Sequence, residues 1–131
     1  MDKVMAQGVF DIIHPGHIHY LEKSAELGDK LTVIIARDQR LERETYFTEE
    51  ERRQIVQALK PVDKAKLGSK ENIYKTVSKT DPDIITLGHD QEHDKKQVKK
   101  TAEDATGHKV QIKRISGLKD YSSSKIKESH R

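Results

Sequence analysis

The run Leu31-Thr32-Val33-Ile34-Ile35-Ala36 is almost unbroken in its apolar character, in a chain where 36% of the residues are charged. Side chains alternate between the two faces of a strand, so a run apolar at nearly every position must be covered on both faces. That is the habit of a central strand in a parallel sheet. Ile84-Ile85-Thr86-Leu87 repeats the pattern and is closed by Gly88. Around these blocks the apolar period becomes helical. Ile18, Leu21, Ala25 and Leu27 share one face of a helix expected from Pro15 or Gly16 to Leu27, which Gly28 stops.

The other segments complete an alternation. Lys3 to Gln7 reads as a first short strand, and Arg37 to Phe47 as a polar connection. Thr48 opens a helix with Glu51 in a capping box, carrying Ile55, Val56 and Leu59 inward and ending before Pro61. Val62 to Leu67 reads as an edge-like strand. Glu71 to Ser78 reads as a short helix with Ile73 and Val77 toward the core, broken by Asp81-Pro82-Asp83. A polar helix from Asp94 to Thr106 ends at Gly107, Lys109 to Ile115 forms a last strand, and Ser122 to Glu128 a terminal helix. Strand following helix throughout 131 residues implies right-handed crossovers. The expected fold is one α/β domain over residues 1–131, a Rossmann-like doubly wound parallel sheet of about five strands with helices on both faces. Ligands of such sheets sit beyond the carboxyl ends of the strands, where the segments from Gly8, Arg37 and Gly88 begin.

Composition narrows the chemistry. The net charge is +3 with basic and acidic residues well mixed, so there is no polybasic stripe of the kind that binds nucleic acid. A mild positive excess suits small phosphorylated molecules. There is no cysteine, which removes disulfides, thiolate zinc sites and thiol nucleophiles. Neither a signal-peptide pattern nor a membrane-spanning run is apparent, so the expectation is a cytoplasmic protein with no membrane partner.

Gly8-Val9-Phe10-Asp11-Ile12-Ile13-His14-Pro15-Gly16-His17 follows the first strand directly. Gly8 lets the backbone approach a ligand, and Pro15 is well placed in a first helical turn. The helix start is expected to present unpaired N–H groups and the positive end of its dipole, an anion site that needs no lysine. His14 and His17, three residues apart, share a face there. As cationic donors they would stabilise the charge that develops on a departing pyrophosphate. A metal reading of His14, His17 and His19 lacks a carboxylate or cysteine to complete the set. His19 is expected at the surface or the core edge.

Gly8-Val9-Phe10-Asp11 followed by His14-Pro15-Gly16-His17 resembles the signature of the cytidylyltransferase-like nucleotidyltransferases. Arg37-Asp38, Glu50-Glu51-Arg52, Gly88-His89-Asp90-Gln91 and Ser122-Ser123-Ser124-Lys125-Ile126 resemble further elements of that family, so the resemblance spans nearly the whole chain. It implies that His14 and His17 are catalytic. It also makes Gly8, Val9, Phe10, Asp11, Pro15, Gly16, Arg52, Gly88, Asp90, Gln91, Ser122, Ser123, Ser124 and Lys125 nucleotide contacts. Arg37, Asp38, Arg40 and Arg43 become candidate phosphate or acceptor contacts, with Arg40 and Arg43 standing where the family tends to keep a lysine.

Within the family, glycerol-3-phosphate cytidylyltransferases place an arginine-threonine-glutamate-glycine segment before the closing serines, where this chain has Gly117-Leu118-Lys119-Asp120. Ile34-Ile35-Ala36-Arg37-Asp38, Ala58-Leu59-Lys60-Pro61-Val62-Asp63-Lys64, Leu67-Gly68-Ser69 and Leu87-Gly88-His89-Asp90-Gln91 are instead similar to archaeal-type FAD synthases, which are FMN adenylyltransferases. That resemblance implies transfer of AMP from ATP to FMN, with Mg²⁺ or another divalent cation held mainly through the nucleotide phosphates, in a homodimer. The alternatives are cytidylyl transfer from CTP to glycerol 3-phosphate or a related acceptor, and a nucleotide-binding module without transfer activity. No segment of the sequence reads as an isoalloxazine pocket.

Overall fold

The computed structural model describes residues 2–41, 44–88 and 94–117. The elements are β1 (Lys3–Gly8), α1 (Pro15–Glu26), β2 (Lys30–Ile35), α2 (Glu49–Gln57), β3 (Lys64–Leu67), α3 (Ile73–Thr80), β4 (Ile84–Gly88), α4 (Lys95–Thr106) and β5 (Gln111–Ile115), with a 3-10 turn at Asp38–Arg40. All pairings are parallel, in the order β3-β2-β1-β4-β5. The chain lays strands to one side of β1 and then returns to its other side. The topological switch point therefore lies between β1 and β4. Gly8 stands opposite Ile35, Ile35 opposite Leu67, and Gly88 opposite Ile115, so the carboxyl ends of all five strands form one edge of the sheet.

Alternate strand residues feed two cores. Ala6, Val33 and Ile35 pack with Leu21 of α1 and Val56 of α2 on one face. Met5, Ile34, Ile85 and Leu87 pack with Val77 of α3 and Ala102 of α4 on the other. Each Val, Leu, Ile or Met side chain so buried contributes about 1.5–3 kcal/mol relative to exposure. The helices thus cover both faces, as the apolar run at β2 requires. No helix among the described residues is long and apolar enough to cross a membrane.

The local signals act largely as expected. Thr48 Oγ1 accepts from Glu51 N at 3.2 Å, while Glu51 Oε1 accepts from Thr48 N at 2.9 Å, closing the capping box of α2. β3 is an edge strand, although it starts at Lys64 rather than Val62. β1 runs one residue further than expected, to Gly8, and β5 starts at Gln111 rather than Lys109. α3 differs more. It begins at Ile73 because Asn72 Oδ1 caps Lys75 N at 2.9 Å, and it runs to Thr80 before Asp81 turns left-handed with φ 50°. Its buried face is Thr76 and Val77, and Ile73, expected in the core, is 45% exposed. The helix expected at Ser122 to Glu128 lies outside the described residues.

Candidate active site

His14 is the N-cap of α1, with an extended backbone at φ −141° and ψ 171°. Its Nδ1 accepts from Gly16 N at 3.1 Å. His17 Nδ1 in turn accepts from His14 N at 3.2 Å. These reciprocal bonds are a capping box built from two histidines in place of the usual hydroxyl and carboxamide or carboxylate. They hold the rings against each other, with centroids 3.9 Å apart and planes 29° apart. A nitrogen that accepts a backbone N–H presents a lone pair, so the hydrogen-bond network assigns the ring proton to Nε2 in both residues. In a neutral ring that arrangement leaves Nε2 as the donor.

The same bonds revise the expected amide cradle. Pro15 has no N–H, Gly16 N is taken by His14 Nδ1, and His17 N donates to His14 O at 3.0 Å. The first turn therefore presents the positive end of the helix dipole and the two imidazoles, not a row of bare amides. His14 is buried and His17 half-buried.

Phe10 explains Gly8. A Cβ at Gly8 would stand 2.7 Å from Phe10 Cε2 and 2.8 Å from Phe10 Cζ. The Phe10 ring is buried, meets the His17 ring edge-on at 5.4 Å and stacks on Tyr20 at 6.5 Å. Behind it, Tyr20 Oη donates to Thr86 O at 2.9 Å, and Ser24 Oγ lies 2.8 Å from Thr86 Oγ1. This buried polar set ties α1 to β4 beneath the two histidines.

Asp11 and Arg52 hold the corner from its other side. Asp11 is buried and accepts from Tyr46 N at 2.9 Å and Phe47 N at 3.0 Å. Arg52 has no exposed surface. Its Nη1 donates to Val9 O at 2.8 Å, its Nε to Phe47 O at 3.3 Å and its Nη2 to Asp38 Oδ1. Asp38 and Glu49 cross-brace, Asp38 Oδ2 accepting from Glu49 N and Glu49 Oε1 from Asp38 N. Arg37 donates from Nε to Gly68 O at 2.7 Å and from Nη1 to Glu49 Oε2 at 2.9 Å. The sequence reading grouped Phe10, Asp11, Arg52 and Asp38 as ligand contacts. In the structure Phe10, Asp11 and Arg52 are buried within the protein, Asp11 and Arg52 holding the backbone of Val9, Tyr46 and Phe47, while Asp38 bonds Arg52 and keeps its side chain 46% exposed.

Of the remaining expected site residues, Gly8, Val9, Pro15 and Gly16 lie at the corner, and Gly88 ends β4 across the switch point. Arg43, Asp90, Gln91, Ser122, Ser123, Ser124 and Lys125 lie outside the described residues, as does the side chain of Arg40. Arg114, which the sequence reading treated only as part of a strand alternation, places its Nη1 2.9 Å from Gly88 O. A basic residue close to the carboxyl end of a strand was the available signal. His19 bonds through Nε2 to Ser116 O at 2.8 Å, tying α1 to the exit of β5, away from the pair. No cluster of three or more His, Cys, Asp or Glu suited to a metal occurs among the described residues.

A family model described as cytidylyltransferase-like matches residues 5–129. A FAD synthase of Aciduliprofundum boonei is 47% identical over 118 residues, covering 88% of this chain and 78% of that protein. A FAD synthase of Thermoplasma acidophilum is 49% identical over 119 residues, covering 88% of this chain and 83% of that protein. A crystal structure from Thermoplasma volcanium GSS1, described as a lipopolysaccharide core biosynthesis protein, superposes with a TM-score of 0.84 at 45% identity. That match covers 90% of this chain and 98% of the other.

Proposed function

The chain belongs to the cytidylyltransferase-like family, and we propose that it moves AMP from ATP to the phosphate of FMN, giving FAD and pyrophosphate. Relatives at 44% to 49% identity that carry the name FAD synthase support this choice of substrates. The observation that carries the reading is the histidine capping box, because it fixes two Nε2–H donors at the dipole end of α1.

In this reading ATP lies across the switch point with its β- and γ-phosphates at the start of α1. A terminal oxygen of the FMN phosphate attacks the α-phosphorus in line. The new P–O bond forms as the bond from the α-phosphorus to the bridging oxygen breaks, and that electron pair leaves with pyrophosphate. The attacking phosphate is already ionised at neutral pH, so no strong base is needed. His14 and His17 donate from Nε2 to the leaving oxygens, where charge grows during transfer. The chain's part is positioning and charge stabilisation. Neither histidine acts as nucleophile, since Nδ1 is engaged and Nε2 holds the proton. A divalent cation, Mg²⁺ in this reading, would be held mainly through the nucleotide phosphates and would supply charge neutralisation there.

The test is a matrix of ATP and CTP against FMN and glycerol 3-phosphate with Mg²⁺, following pyrophosphate and product. FAD from ATP plus FMN alone is the expected outcome. CDP-glycerol from CTP would overturn it.

A further inference from the structure

A cavity of about 300 Å³ opens beyond the carboxyl ends of β1, β2 and β3, with α3 along one side. That volume sits at the lower end of the range for small-molecule sites, about 300–1,000 Å³. One end is Gly8 and Val9, the turn that leads to the histidine pair. The other is Gly68, Thr76 and Ile73. The cavity lies on the β2 and β3 side of β1, whereas the switch point lies on its β4 side. A nucleotide seated at the switch point, as proposed, would therefore occupy the other half of the edge and meet this cavity at Gly8.

Ile73 is the telling residue. It shares the helical face of Thr76 and Val77, which are buried, yet it is itself 45% exposed. The core-facing stripe of α3 thus ends in an aliphatic side chain that lines the cavity. Ala36 adds a small apolar surface. Arg37 lines the same space, with its planar guanidinium fixed by the bonds to Gly68 O and Glu49 Oε2. A flat guanidinium and an aliphatic wall suit the two faces of a planar ring system.

We propose that this cavity seats the isoalloxazine ring of FMN, and that Ile73 is the residue that makes it selective for a flat, largely apolar acceptor. The inference rests on the proposed transfer to FMN. The acceptor's phosphate must reach the histidine corner while its ring system stays clear of the nucleotide. A cavity that shares Gly8 and Val9 with that corner and runs away from the switch point meets both demands.

The test is equilibrium binding of FMN, read by quenching of flavin fluorescence, beside calorimetric binding of ATP with Mg²⁺. The full chain is compared with its Ile73→Ser and Ile73→Leu variants. Ile73 is half exposed, so thermal unfolding of both variants should match the parent. Ile73→Ser should weaken FMN binding about tenfold, leave ATP binding within about twofold, and be rescued by Ile73→Leu. Unchanged FMN affinity in Ile73→Ser, in a chain that binds FMN and makes FAD, overturns the cavity assignment and leaves the proposed function standing. Weakened ATP binding instead assigns the cavity to adenine and overturns it equally. A parent chain that neither binds nor adenylates FMN removes the proposed function, and this inference with it.

Discussion

Phe10 adopts a left-handed backbone, φ 53°, and still buries its ring under Gly8 and against His17. That conformation costs a non-glycine residue about 1–2 kcal/mol, which the burial of an aromatic ring offsets. The pairing makes a sharp prediction for Gly8→Ala. The new methyl group would have to displace a buried ring that packs on the His17 imidazole. Chemical denaturation should show a loss of about 1–3 kcal/mol, the usual range for overpacking, with a fall in turnover. Unaltered stability and turnover would show that Phe10 has room to move. At this scale the histidines were legible because residue type and spacing specify them. Gly8 was legible as part of the site, but its physical reason was not. The clash involves a ring whose position depends on a positive φ that the sequence does not announce. The inward commitment of Arg52 was hidden for a related reason. A basic residue in a first helical turn normally faces water, and only the approach of Val9 O, Phe47 O and Asp38 turns this one inward.

Helix ends decide much of the element-scale behaviour. At the amino end of the sheet, Asp81 ends α3 and meets His108 beyond α4 at 2.9 Å. Both ring nitrogens of His108 face acceptors, Nδ1 toward Lys109 O and Nε2 toward Asp81 Oδ1, so the doubly protonated ring satisfies both. The Lys109 carbonyl and the Asp81 carboxylate raise the His108 pKa, with Asp83 adding to the effect. His108 and Lys3 lower the Asp81 pKa. A group whose pKa rises on folding gives stability that is complete below its unfolded value, about 6.5 for histidine, and is lost as pH climbs through the folded value. A carboxylate whose pKa falls on folding gives stability that is complete above about 3.9 and is lost as pH drops through the folded value. The pair should therefore stabilise most between about pH 4 and 6.5. Urea melts should show stability declining above that window, and Asp81→Asn, which tolerates a left-handed backbone, should flatten the decline. An equal decline in Asp81→Asn would remove the pair from the account.

Ile73 marks the limit of pattern reading for elements. Its spacing from Val77 does place it on the core-facing stripe, but α3 is only 8 residues long and its first residue lines a cavity instead of the core. Periodicity identifies a face and not what lies opposite. The strong elements were legible because burial on both sides of β2 and β4 leaves few polar residues for a sequence to carry.

Across the whole molecule, the parallel order β3-β2-β1-β4-β5 brings the histidine corner, the end of β4 and the cavity beside β3 to one edge of the sheet. The sequence carried that architecture through its alternation of blocks, and it carried the histidine corner through one contiguous motif. It did not show the cavity, because its walls come from Gly8, Ala36, Gly68 and Ile73, residues far apart in the chain and individually bland. The account depends on the histidine corner being the seat of transfer as well as a helix cap. His14→Asn separates the two roles. Asparagine is an effective N-cap, so the fold should persist, but the variant lacks the Nε2–H donor. The decisive measurement is turnover of ATP and FMN by His14→Asn, set beside its ATP affinity and thermal stability. Turnover should fall about 10²–10³-fold, as for loss of a donor to developing charge, with affinity changed less than about tenfold and stability near that of the parent. Turnover close to that of the parent in a folded His14→Asn chain would contradict the account.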